Sequence, residues 1–220
     1  MARPSKRLHH PDEPRWAAFI AVLLAALIQI ALPDRLTLGP SWLLAAVEAA
    51  LATALLIAHP FRHQLESTIL RRGSLLLVAV ISLGNGFSAA LLIRGLLHGS
   101  LHGGAPALLS NGAGVYITNI IAFALWYWEL DRGGPMARAS GRMASPDFLF
   151  PQMTAPTLAP PSWAPTFVDF LYVSFTNATA FSPTDTMPLS RWAKWLMLLQ
   201  SAIALLTVSL VIARAVNIFQ

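Results

Sequence analysis

Residues 174–190 read SFTNATAFSPTDTMPLS, and they lie between a proline-rich loop and a last apolar run, 192–218. Just before and into them, 167–176 read FVDFLYVSFT, about ten mostly apolar positions that Thr176, Asn177 and Thr179 then interrupt. That is too short to cross a bilayer, and Pro183 and Pro188 keep a helix here from joining the next one. A short apolar helix followed by irregular polar backbone has the form of a re-entrant segment, because such backbone is tolerated at membrane depth only against protein or water. The other available form is an interfacial helix lying flat.

Working outward, 55% of the 220 residues are hydrophobic and 11% are charged, more apolar surface than a soluble domain of this size needs. Five apolar runs, 16–32, 42–59, 74–97, 107–128 and 192–218, are each 17 to 27 residues long. Such lengths can cross ~30 Å of hydrocarbon as helices. The reading is an all-α integral membrane protein with five transmembrane helices plus one re-entrant or interfacial pore-like helix before the last span. Its organisation is a basic tail at 1–15, a four-helix transmembrane region at 16–130, a Pro-rich interfacial loop at 131–166, and a pore-loop-like helix, turn and final span at 167–220. No small-residue cleavage site follows Leu32 and another span begins within ten residues, so the first run reads as an anchor, not a removed signal.

Charge orients the chain. Arg3, Lys6, Arg7 and Arg15 precede the first run, Arg62, Arg71 and Arg72 lie between the second and third, and Arg132, Arg138 and Arg142 follow the fourth. The opposite loops carry Arg35 and Arg94. The positive-inside rule then puts the N-terminus and the long loop in the cytoplasm and the C-terminus outside. The net charge of +5 therefore speaks of orientation in a lipid bilayer, and nucleic acid is not an expected partner. There are no cysteines, hence no thiolate chemistry. No span carries Arg or Lys at every third position, which argues against a voltage sensor of that form. HExxH, GxSxG and Gly-rich phosphate loops are missing, so no enzyme activity and no cofactor are expected. His59 with His63 and His98 with His102 are spaced by four, but Pro60 and Gly99 disturb the helices and no carboxylate or thiol adjoins either pair, so no metal is expected.

The loop 131–166 holds seven prolines and also Phe148, Phe150 and Trp163, which suits an ordered cap on the helix ends or a docking surface better than a solvated linker. Trp126, Tyr127 and Trp128 read as an interfacial aromatic belt. Glu48 and Arg94 fall at similar depths in the second and third runs, so an intramembrane ion pair between antiparallel neighbours is geometrically available. Asn85 and Asn119 would hydrogen-bond between helices, and Gly84 and Gly86 would admit a close neighbour.

The order DFLYVSFT, a polar turn ending in Asp, then PLSRWAKWLMLLQSAIALLTVSLVIARAV resembles the pore half of the potassium-channel superfamily: pore helix, filter and inner helix. Set without gaps on the pattern SFTTLTTVGYGDITPLS, the chain matches at Ser174, Phe175, Thr176, Thr179, Asp185, Pro188, Leu189 and Ser190. It is also similar to an uncharacterised family of bacterial multi-pass membrane proteins of like length. The resemblance covers about fifty residues and implies a bacterial inner-membrane protein that assembles as a homo-oligomer, a tetramer if channel-like. At the TVGYG positions stand Ala180, Phe181, Ser182, Pro183 and Thr184. With both glycines gone, Pro183 at a fixed φ and Thr184 resisting positive φ, a potassium filter of that form cannot be built. The expectation is a cation pore without potassium selectivity, its pore-like turn formed by Thr176, Asn177, Thr179, Phe181, Ser182, Thr184 and Asp185. The alternative is a non-conducting structural or partner-binding membrane subunit, with Thr184, Asp185 and Thr186 serving as turn and N-cap of the last helix.

Overall fold

A computed structural model describes residues 15–58, 68–99, 104–139, 145–155, 157, 159–160, 163–180 and 185–219. Phe181, Ser182 and Thr184, and the pairings of His59 with His63 and His98 with His102, lie outside these residues. The described chain is helical apart from one short strand pair. In order it forms α1 (Trp16–Ala31), α2 (Ser41–Ala58), α3 (Thr68–Leu97), α4 (Ala105–Leu130), α5 (Pro135–Ala139), β1 (Phe148–Leu149), α6 (Pro151–Thr154), α7 (Phe167–Ala180), β2 (Met187–Pro188) and α8 (Arg191–Phe219). Three segments, Ile69–Leu97, Ala105–Gly133 and Arg191–Asn217, are long and apolar enough to cross a membrane. α1 and α2 are apolar but shorter, 16 and 18 residues. At 1.5 Å per residue they measure about 24 and 27 Å, just under the hydrocarbon thickness.

α4 is the central helix, packed against α1, α3, α7 and α8. Pro106 stands in its first turn, where a missing N–H costs nothing, and from there the helix is buried on most sides. Close approaches set the register around it. A Cβ on Gly112 would stand 2.8 Å from Val211 Cγ2 of α8, and one on Gly114 would stand 3.1 Å from Ile28 Cγ2 of α1. Gly84 of α3 faces Leu44 of α2 and Gln29 of α1 at 2.5 and 3.4 Å in the same sense, whereas Gly86 meets nothing within 4 Å. Of the two glycines expected to admit a neighbour, only Gly84 does.

The WYW triplet is not a lipid-facing belt. Tyr127 and Trp128 are buried, and half-buried Trp126 donates its indole N–H to Ser82 Oγ at 2.8 Å. The aromatic rings near this end of α4 are consumed by the protein's own core because α1, α7 and the loop after α4 close over them.

That loop is tied down by two carboxylates. Asp131 is fully buried, and its Oδ1 accepts the backbone N–H groups of Asp147 and Phe148 at 2.9 and 3.3 Å. Asp147 in turn accepts from Arg132 N and Trp192 Nε1, each at 2.9 Å, and its carbonyl accepts from Leu189 N at 2.8 Å. β1 and β2 pair antiparallel, Phe148 opposite Pro188 and Leu149 opposite Met187. This drives the fully buried Phe148 ring among Tyr127, Phe170 and Trp192, at centroid distances of 5.0, 6.0 and 5.8 Å. Phe150 adds edge contacts with Phe170 and Trp163. The prolines break the helix and the aromatics between them bind the loop to the ends of α4, α7 and α8.

Candidate functional site

α7 is a 14-residue helix that buries Phe167, Phe170, Val173, Ser174, Asn177 and Ala178. These positions recur at three- and four-residue spacing, one face of a helix. Phe167 meets Trp128 edge-on at 5.9 Å, while Ser174 Oγ donates to the carbonyl of Ile120 at 2.6 Å. α7 therefore runs antiparallel to α4. α8 does too, since Gln200 meets Tyr127 and Val211 meets Gly112. α7 and α8 consequently point the same way, and the chain between them returns to the end from which α7 started. There β2 joins β1 and Leu189 joins Asp147. The far end of α7 stops beside Ile120, Tyr116 and Ala204, near the middle of α4. Past that level the groove between α4 and α8 stays open, lined in part by Gly112, Tyr116, Thr207 and Val211.

A closed polar network fastens α7. Gln200 Oε1 accepts from Tyr127 OH at 2.6 Å and from Asn177 Nδ2 at 2.9 Å; its Nε2 donates to Ser174 Oγ and O at 2.7 and 2.9 Å. Asn177 Nδ2 also reaches the Met197 carbonyl at 3.0 Å, and Ser201 Oγ donates to Asn177 O at 3.2 Å. Tyr127, Ser174 and Gln200 are fully buried and Asn177 nearly so. Every donor and acceptor of the Gln200 amide is used, which makes the network rigid.

The residues of the pore-like turn thus separate. Asn177 faces α8, its Nδ2 bonded to Met197 O and Gln200 Oε1. Thr176 and Thr179 lie on the opposite, outer face of α7, and their hydroxyls donate back to Tyr172 O and Phe175 O, each at 2.9 Å. Asp185 is exposed, with Thr186 Oγ1 3.5 Å from its carboxylate. The N-cap of α8 is Ser190, whose Oγ accepts from Ala193 N at 3.4 Å; Asp185 and Thr186 lie further upstream.

Glu48 and Arg94 are not brought together. Glu48 is 1% exposed with neither carboxylate oxygen hydrogen-bonded, while Arg94 is exposed on α3. Similar depth did not suffice, because Glu48 turns toward the core on the stripe Ala45, Glu48, Ala52 and Arg94 turns away from it. Asn119 makes no interhelical bond either, leaving both ends of its amide unpartnered. Gln29 and Gln200, the buried amides of α1 and α8, were not singled out by sequence. Each interrupts a long apolar run with a polar side chain, and that is the signal that marks them.

Among the described residues no group of three or more His, Asp or Glu is placed to hold a metal. No family model matches the chain, nor does any curated protein or solved structure. The likeness to potassium-channel pores therefore stands on the residues that carry it.

Proposed function

We propose that this chain is a multi-pass protein of a bacterial inner membrane in which α7 is a re-entrant half-helix, and that in a homo-oligomer it forms a weakly selective cation pathway. The observation that carries this reading is that α7 runs parallel to α8 and stops halfway along α4. A helix that starts and returns at one end of a bundle, with its C-terminal carbonyls aimed at the middle, favours a cation there. In this reading α1 and α2 cross as well: for α1, Arg15 lies 5.9 Å over the Trp128 ring at one end and Leu32 packs with Leu96 and Leu108 toward the other, while Leu44 and Leu55 of α2 meet Gly84 and Gly73 along α3. The outer face of α7, with Val168, Tyr172 and Phe175 all more than half exposed, is the face a second copy would cover.

The test is reconstitution of folded protein into planar bilayers, with its oligomeric state measured in parallel. Cation currents that discriminate poorly between sodium and potassium are expected, reduced in Asp185→Asn because that exposed carboxylate draws cations to the mouth. Silence from folded, oligomeric protein, or marked potassium selectivity, refutes the pathway. A second reading, a non-conducting partner subunit, is favoured by the inward bonding of Asn177, Ser174 and Gln200, which takes those polar groups away from the outer face of α7. A stable monomer would decide for it.

A further inference from the structure

Gln29, Glu48, Asn85 and Asn119 come one each from α1, α2, α3 and α4. All are at least 96% buried, at 2, 1, 4 and 1% exposure. Gln29 Nε2, both oxygens of Glu48, Asn85 Oδ1 and both ends of the Asn119 amide have no hydrogen-bond partner. Each of the four helices thus buries a carboxylate or amide with unpartnered atoms, and the hydroxyls of Ser88 on α3 and Thr118 on α4 are buried and unpartnered beside them. Chance would scatter such costly groups.

Their registers place them at neighbouring levels of the bundle. α1, α2 and α3 meet at Gly84, which faces both Leu44 and Gln29. Asn85 follows Gly84 directly. α2 and α3 are antiparallel, since Leu55 meets Gly73 where Leu44 meets Gly84. Glu48 therefore sits one turn, about 6 Å, from Leu44 toward the middle of the bundle. α4 is antiparallel to α1, with Arg15 at Trp128 and Ile28 at Gly114. Counting back along both helices brings Asn119 level with Glu48 to within about a turn. The small residues Ala25 of α1 and Ala45 and Ala52 of α2 are buried on the same helices.

A bare carboxylate cannot remain in such a core; it must take a proton or a cation. Among the described residues no arginine or lysine serves: neither Glu48 oxygen has a partner, and Arg94 is exposed on α3. The remaining donors to a cation are amide oxygens: Asn85 Oδ1, Asn119 Oδ1 and, with its amide turned over, Gln29. The two ends of such an amide are assigned by hydrogen bonding, and here neither Asn119 atom has any. One carboxylate plus neutral oxygens suits a hard ion of single charge, since a divalent ion would leave charge uncompensated. The tight contact at Gly84 favours a small one.

We propose that Glu48, Asn85, Asn119 and Gln29 form an intramembrane binding site for a monovalent cation, sodium, within the α1–α4 core. The site is separate from α7, so its fate does not depend on the pore reading. In thermal unfolding of the purified full chain in detergent, sodium chloride should raise Tm over choline chloride of equal ionic strength. A saturating excess gives a shift of about 5–10 °C. Glu48→Gln should abolish that shift and Asn119→Ala should reduce it. Equal Tm in both salts, or an undiminished shift in Glu48→Gln, overturns the site and leaves a protonated Glu48 closed by amides. Should the variants fail to fold, radiolabelled sodium on the unaltered protein decides: saturable binding of one ion per chain supports the site, and none refutes it.

Discussion

Gln200 shows how much one side chain decides in an apolar setting. Its amide joins α4, α7 and α8 through four hydrogen bonds, all out of contact with solvent. Single interhelical hydrogen bonds in membranes are modest, so Tyr127→Phe, which removes one donor and strands nothing charged, should cost about 0.5–1.5 kcal/mol. Gln200→Leu strands the Tyr127 hydroxyl and loosens Asn177 and Ser174 together, and about 2–4 kcal/mol is expected. Unfolding titrations in detergent check both values. Equal losses would mean that the amide does not organise the network. Nothing in the run WAKWLMLLQSAIALL marks Gln200 as its hub, beyond its being polar in an apolar span. The partners lie 26 and 73 residues away, at Ser174 and Tyr127.

At the scale of elements, the turn that ends α4 is the most constrained backbone. Arg132 has φ of +50°, and Gly133 and Gly134 follow at +81° and +98°. A Cβ on Gly134 would also stand 2.9 Å from the backbone oxygen of Glu129. This turn aims Asp131 at the N–H groups of Asp147 and Phe148 and lets Arg138 reach the Trp128 carbonyl at 2.6 Å. Gly134→Ala should therefore cost about 1–3 kcal/mol and expose the 145–155 region to limited proteolysis. Unchanged stability and protection would separate the turn from the cap it is argued to set. The ELDRGGP sequence announces a break, and the prolines announce that the loop is not helical. That Phe148 and Phe150 would close over α4 and α7 followed from β1 pairing with β2, forty residues further on.

Across the whole molecule, one end of the bundle collects Arg15, Arg71, Arg72, Arg132, Arg138, Arg191 and Lys194, and Arg71 Nη1 donates to the Gly133 carbonyl there. The other end has Arg35, Arg94 and Arg214. By the positive-inside rule, reporter fusions at the N-terminus and near residue 145 should both report cytoplasm, and a fusion after residue 219 the opposite side. Reports from opposite sides for the first two would contradict both the charge distribution and the bundle's arrangement.

The sequence by itself determined the apolar runs, their lengths, the proline breaks and a short helix over 167–179, because partition into hydrocarbon and interruption of helical hydrogen bonding are local properties of the chain. It did not determine which way each helix turns. These helices are apolar nearly all round, so the sequence pattern distinguishes lipid-facing from protein-facing residues weakly. Rotation about each helix axis was decided only by packing: Gly84 against Leu44, Gly112 against Val211 and Gly114 against Ile28. Those contacts sent Glu48 inward and Arg94 outward, drew Tyr127 to Gln200 instead of to the membrane surface, and set Asn177 against α8.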